Sequence, residues 1–207
     1  ATLGTKAAAA GINRVTLTDT AEANTVTVAK TFTNDLTVDI SADTSAGDKV
    51  EANADYSGSI TVNAPTASID DGTNINTITG GKGTDTFNIQ LGASVDITTT
   101  DLSKLTKVET ITVTDADADT DATFNIALNN KNATYTSATS YETLTVDVTA
   151  IGASSDTVNI DANAELDGKI IVKGGAGVNK LTLSSSAYFG DTITAGAGND
   201  SVVIHTS

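Results

Sequence analysis

Gly80, Gly81, Gly83 and Asp85 are the residues whose types and spacing point to chemistry. They stand in the run Gly80-Gly81-Lys82-Gly83-Thr84-Asp85-Thr86-Phe87-Asn88. The run fits the nine-residue pattern G-G-x-G-x-D-x-U-x, with U a large apolar residue, at every specified position. Glycines let a tight corner take backbone angles closed to other residues, so that its carbonyl oxygens converge. Asp85 adds a carboxylate, and calcium takes oxygens of both kinds. Phe87 turns inward from a short strand. The chemistry on offer is the holding of a divalent cation.

Two further runs share the spacing. Gly174-Gly175-Ala176-Gly177-Val178-Asn179-Lys180-Leu181-Thr182 fits with Asn in place of Asp, and Ala195-Gly196-Ala197-Gly198-Asn199-Asp200-Ser201-Val202-Val203 fits with Ala in place of the first Gly. Degenerate nonapeptides at 71–79 and 186–194 put Asn76 and Asp191 at the ligand position and Ile78 and Ile193 at the inward one. The predicted Ca2+ ligands are therefore Gly80, Gly81, Gly83 and Asp85 at one corner. A C-terminal pair of corners supplies Gly174, Gly175, Gly177, Asn179, Ala195, Gly196, Gly198 and Asp200. If each nonapeptide is half a turn of a coil, corners on one edge recur about every 18 residues. The C-terminal corners, starting at 174 and 195, are one turn plus three residues apart and share an ion. For the corner at 80–85 the same spacing offers 62–65 on one side and 98–101 on the other, with Asp101 or Asp71 to complete its shell. Asp115, Asp117, Asp119 and Asp121 alternate like the opening of an EF-hand, but Ile126 stands where the closing Glu belongs, so they read as a solvated loop.

Such corners need strands to carry them. From Arg14 onward apolar residues and Thr alternate, as in Val15-Thr16-Leu17, Val26-Thr27-Val28 and Leu36-Thr37-Val38, the period of strands with one buried face. Clusters of Asp, Ala, Ser and Gly separate the runs as turns. The chain also repeats itself. Leu36-Thr37-Val38-Asp39-Ile40 returns as Leu144-Thr145-Val146-Asp147-Val148, and the stretches at 52–62 and 76–89 return at 162–172 and 191–204. The fold class predicted is all-β, a parallel β-solenoid resembling a β-roll, in two tandem repeats of about 100 residues. The division is 1–13 as linker or entry, 14–91 as the first unit, 92–109 as a connector and 110–207 as the second. The connector allows a short helix with Asp101 as N-cap.

Composition agrees with a thin core. Aromatics make up 4% of the chain, with no Trp, Met or Cys, so the interior falls to aliphatic side chains. The net charge of −15, with 26 acidic residues against 11 Lys and Arg, argues against nucleic acid or anionic membrane as partner and suits uptake of divalent cations. Without Cys there is neither a disulfide nor a thiolate metal site. No signal peptide or spanning apolar run is read, and the pattern is already running at Ala1, as in a piece of a longer chain. No catalytic constellation appears: His205 is the only histidine, and the nucleophile–base and phosphate-binding motifs lack parts. Thr-x-Thr pairs such as Thr110/Thr112 and Thr143/Thr145 recur too irregularly along the sequence for a flat ice-binding face.

The segments at 80–88 and 195–203 resemble RTX repeats of proteins exported by type I secretion. Leu105-Thr106-Lys107-Val108-Glu109-Thr110-Ile111-Thr112-Val113 and the Thr/Ala/Asp-rich strands around it look like RTX-type S-layer proteins of Gram-negative bacteria. That resemblance implies a secreted, calcium-stabilised structural segment at the cell surface. It would assemble with copies of itself into a lattice, without inserting in the membrane. An extender or binding module of a large RTX adhesin and the calcium module of a secreted RTX enzyme share these features.

Overall fold

Alternating aliphatic residues on short strands bury one face only if each strand lies on its equivalent one turn away. A computed structural model displays that arrangement. It describes the whole chain except residues 19–21, 44–46, 67–68, 70–75, 92–94, 99, 116–121, 138–139, 153–154, 184–189 and 205–207. In chain order the elements are β1 (Thr2–Leu3), α1 (Thr5–Ala9), β2 (Arg14–Thr16), β3 (Thr25–Val28), β4 (Leu36–Asp39), β5 (Lys49–Ala52) and β6 (Ile60–Pro65). There follow β7 (Thr77–Thr79), β8 (Thr86–Leu91), β9 (Val95–Ile97), β10 (Leu105–Thr106), β11 (Thr110–Asp115), β12 (Thr123–Ala127) and β13 (Tyr135–Ser137). The last are β14 (Ser140–Tyr141), β15 (Thr143–Asp147), β16 (Thr157–Ala162), β17 (Lys169–Lys173), β18 (Val178–Leu183), β19 (Thr192–Thr194) and β20 (Ser201–Ile204).

These strands form a parallel β-solenoid of about 7 turns. One sheet of eight strands, in the order β19-β17-β15-β11-β8-β6-β4-β2, runs its length as a spine. A first flanking sheet, β1-β3-β5-β7-β10, covers the N-terminal turns, and a second, β20-β18-β16-β12-β9, covers the C-terminal ones. Among the described residues only the hairpin of β13 and β14 is antiparallel. The segment at 92–109 holds β9 and β10 with a turn between them in place of a helix: Asp101 accepts hydrogen bonds from the backbone and hydroxyl of Thr98, each at 2.7 Å. Residues 1–13 join the solenoid, with β1 paired to β3 and Leu3 buried.

The core is a set of columns. Along the inner face of the spine Val15, Val38, Val62, Phe87, Ile111, Val146, Val172 and Ile193 follow one another in register. Ile97, Ile126, Ile160 and Leu181 do the same in the second flank. Each such side chain taken from water contributes roughly 1.5–3 kcal/mol, enough to hold strands of three to six residues that would not persist alone. On the outer face of the spine Thr37, Thr61, Thr86, Thr110 and Thr145 stand in one column. The Thr-x-Thr pairs themselves do not stack: Thr110 and Thr112 lie beside Thr145 and Asp147, and Thr143 lies beside Lys169.

Turn length departs from the expected half-turn nonapeptide. Successive spine partners are 23 residues apart at one end (Arg14 and Thr37), 35 at the widest (Thr110 and Thr145) and 21 at the other end (Ile171 and Thr192). Each turn places one strand in the spine and one in a flank, the turn from β8 to β11 places one in each flank, and the widest turn also holds the hairpin of β13 and β14.

Tyr56 fills one corner of the first half and is fully buried. Its hydroxyl donates to the Asn34 carbonyl oxygen at 2.6 Å, and its ring lies 6.1 Å from that of Phe32. Burial, with the charges of Asp35 and Asp85, pushes the phenol up to about 12, so the donor is retained well into alkali. Tyr56→Phe is expected to cost about 1–2 kcal/mol, read as a lower urea midpoint at unchanged slope.

Candidate metal sites at the glycine corners

The corner at 80–85 joins β7 of the first flank to β8 of the spine. Its neighbours differ from those expected from an 18-residue turn. With partners 25 residues back, Gly81 lies on the Tyr56 carbonyl and Gly83 on that of Gly58, in place of 62–65. On the other side lie Lys107 and Glu109, in place of 98–101; Gly80 abuts the Lys107 carbonyl oxygen. Lys107 itself has φ 53, the one non-glycine among the described residues in the left-handed region. Asp101 is occupied with its own turn, and Asp71 lies outside the described residues.

Asp85 is 1% exposed. One carboxylate oxygen accepts the Ile60 amide at 2.6 Å and the other the Gly81 amide at 2.7 Å. The Asp85 amide in turn donates to Glu109 Oε2 at 2.7 Å. Burial pushes the Asp85 carboxyl up against those donated hydrogen bonds. Burial does the same at Glu109, helped by the charges of Asp85 and Glu142. This corner is organised around an anion, its own carboxylate seated among amide N–H groups, and ties three consecutive turns together.

The same device recurs. Asp48 accepts from the Asn24 amide at 2.7 Å, Asn76 from that of Asp48 at 2.9 Å and Asp156 from that of Ala122 at 3.1 Å. Asp191 accepts from Ile170 at 2.9 Å and Asp200 from Asn179 at 2.9 Å. In each case a side chain standing just before a strand clips the backbone of the preceding turn. Sequence reasoning assigned Asn76, Asp85, Asp191 and Asp200 to cation ligation and missed this role, along with Asp48, Glu109 and Asp156. The signal was present in the recurring acid or amide directly before a strand-opening Thr or Lys: Asp48-Lys49, Asn76-Thr77, Asp85-Thr86, Glu109-Thr110, Asp156-Thr157 and Asp191-Thr192.

The C-terminal corners stack on one another as the 21-residue spacing requires. The corner at 174–177 joins β17 to β18, and the one at 195–200 joins β19 to β20, both between the spine and the second flank. Gly174 meets the Ala195 carbonyl so closely that a Cβ there would fall far inside the 3.0 Å such atoms keep. Gly196 (φ 94) and Gly198 (φ 114) take conformations that favour glycine and rest on the carbonyls of 174–177. Asn179 continues the inward column of Phe124 and Val158 and is fully buried. Four oxygens surround its Nδ2: Asp200 Oδ1 at 2.7 Å and the carbonyls of Ala195 at 2.9 Å, Gly177 at 3.0 Å and Gly175 at 3.4 Å. Its Oδ1 and, one turn earlier, Asp156 Oδ2 are buried without a hydrogen-bond partner.

Of the two locations this one fits a hard cation. Three carbonyls and a carboxylate already converge on one centre, which the Asn179 amide nitrogen occupies and would vacate for an ion. The ligands are mainly backbone: among the described residues no group of three His, Cys, Asp or Glu side chains converges as a metal site. Neither a protein-family model, nor a curated protein, nor a solved structure matches the chain.

Proposed function

We propose that this chain is a calcium-binding structural segment of a secreted, RTX-like surface protein, built to assemble with copies of itself into an S-layer lattice. The observation that carries the reading is the ring of four oxygens about Asn179 Nδ2 at the stacked C-terminal corners. When bound there, Ca2+ would draw the carbonyls of Gly175, Gly177 and Ala195 and the Asp200 carboxylate toward one charge, with Asn179 Oδ1 as a neutral ligand. The parallel solenoid, the absence of Cys and the net charge of −15 support it. Such a rod carries long lateral faces and has reason to take up cations against its own repulsion. The same features suit an extender module of a large adhesin, which would remain monomeric.

The expected result is a melting temperature that rises with calcium and falls with EDTA. At about ten times the dissociation constant, roughly 1–10 mM for an extracellular module, one site adds about 1.4 kcal/mol. Ordered sheets seen by electron microscopy in calcium would support the lattice. An identical melting temperature in calcium and in EDTA defeats the calcium reading; persistent monomers in calcium defeat the lattice.

A further inference from the structure

We infer that the Asn179 carboxamide stands in for a cation when none is bound, so that the stacked C-terminal corners close without metal, and that Asn in place of Asp at this position is what lets them do so. An amide –NH2 has two hydrogens, yet four oxygens lie within 3.4 Å of Asn179 Nδ2. The group is outnumbered by its acceptors, as a small cation in a ligand shell is. The other end of the amide confirms the bias. Oδ1 is buried and has no hydrogen-bond partner, so the side chain gives up one favourable contact to place its positive end in the ring. Both loops are pinned around it by backbone geometry: Gly174 against Ala195, Gly196 and Gly198 against the preceding corner, and the Asn179 amide on Asp200 Oδ1 at 2.9 Å. The ring therefore persists as a unit, whatever fills it.

Carboxylate chemistry at the same position inverts the requirement. An Asp at 179 brings no hydrogen and a second negative charge into a ring holding Asp200 and three carbonyl oxygens. Only a divalent cation, or a proton, then closes the corner. The inference deepens the calcium reading of this corner but does not depend on calcium binding to the native chain, where the amide nitrogen would have to leave the ring.

The test compares the full chain with Asn179→Asp and Asn179→Ser, each melted in EDTA and in CaCl2. In EDTA the Asp variant is expected to melt well below both others. Calcium should raise its midpoint to that of the native chain or beyond, with an apparent affinity roughly tenfold tighter than the native one. Rescue of the Asp variant while the native chain ignores calcium still supports the stand-in and removes the calcium reading of the native corner. An Asp variant that melts with the native chain in EDTA, or that calcium does not rescue, overturns the inference. Should that variant fail to fold under either condition, hydrogen exchange of the native Asn179 side-chain amide decides. Strong protection in EDTA supports the stand-in, and exchange as fast as that of an exposed asparagine overturns it.

Discussion

Gly80→Ala is expected to cost at least about 3 kcal/mol, a large share of the roughly 5–15 kcal/mol that holds an ordinary domain folded. The added methyl would occupy the space of the Lys107 carbonyl oxygen and press on the Asp85 carboxylate. Neither can retreat cheaply. Lys107 is already held at φ 53, and the Glu109 and Thr110 amides on the next turn both donate to the Asp85 carbonyl, at 3.1 and 3.2 Å. Overlap with backbone on an adjacent turn separates the two turns, and with them the column in which Phe87 meets Ile111. Gly152→Ala is the matched control, since an added Cβ there meets nothing within 4 Å; it should stay within about 0.5 kcal/mol. Urea denaturation followed by circular dichroism separates the two. Coincident midpoints for Gly80→Ala and Gly152→Ala would show that the corners do not stack as described.

Acidification is expected to stabilise the protein before it destabilises it. Asp85, Glu109, Glu165 and Asp191 are all held above the usual carboxylate value, each first by burial. For these groups the folded state binds protons more readily than the unfolded one. Their contribution is thus complete below the ordinary value, near pH 4, and lost as the pH rises through the folded values. Asp39 and Asp147 behave oppositely. Burial pushes both upward, yet hydrogen bonds from Ser41 and Thr149 and the charges of Arg14 and Lys173 hold them below the usual value. Their contribution is present above about pH 4 and disappears as the pH falls further. The melting temperature should therefore climb from pH 7 into the mildly acidic range and drop again in stronger acid. Asp85→Asn should blunt the climb and cost about 1–3 kcal/mol at neutral pH, because an amide nitrogen would face either the Ile60 or the Gly81 N–H. A melting temperature that falls steadily from pH 7 downward would contradict this account of the buried acids.

The alternation of Thr with Val, Ile and Leu made the strands and their inner faces legible, because a half-buried strand has period two wherever it occurs. Which sheet a strand enters was not legible. The matching runs at 76–89 and 191–204 both read strand, glycine corner, strand. The first crosses from a flank to the spine and the second from the spine to the other flank. Local sequence encodes a corner and its two arms; the face that receives each arm follows from the accumulated length of the turns before it. The same accumulation hid the partners of Gly80, Gly81 and Gly83, since an 18-residue turn points past Tyr56 and Gly58 to 62–65. At the C-terminal end, where the turn contracts to 21 residues, the stacking of 174–177 on 195–200 was readable from spacing. The double use of Asp was harder to see. A carboxylate offers the same oxygen to a cation and to an amide, and only the placement of Ile60 and Gly81 against Asp85 distinguishes them.

The handover between flanking sheets has a mechanical consequence. Backbone hydrogen bonds in a solenoid point along its long axis, so a pull on the two ends loads the turns in series and each step bears the whole force. The step between β8 and β11, where one flank ends and the other begins, is also where the spine pairs most deeply, over six positions. At the N-terminal end, by contrast, β1 and β3 share two paired positions and β2 and β4 three. Under tension the rod should fray from its N-terminal tip inward, and the step between β8 and β11 should be among the last to part.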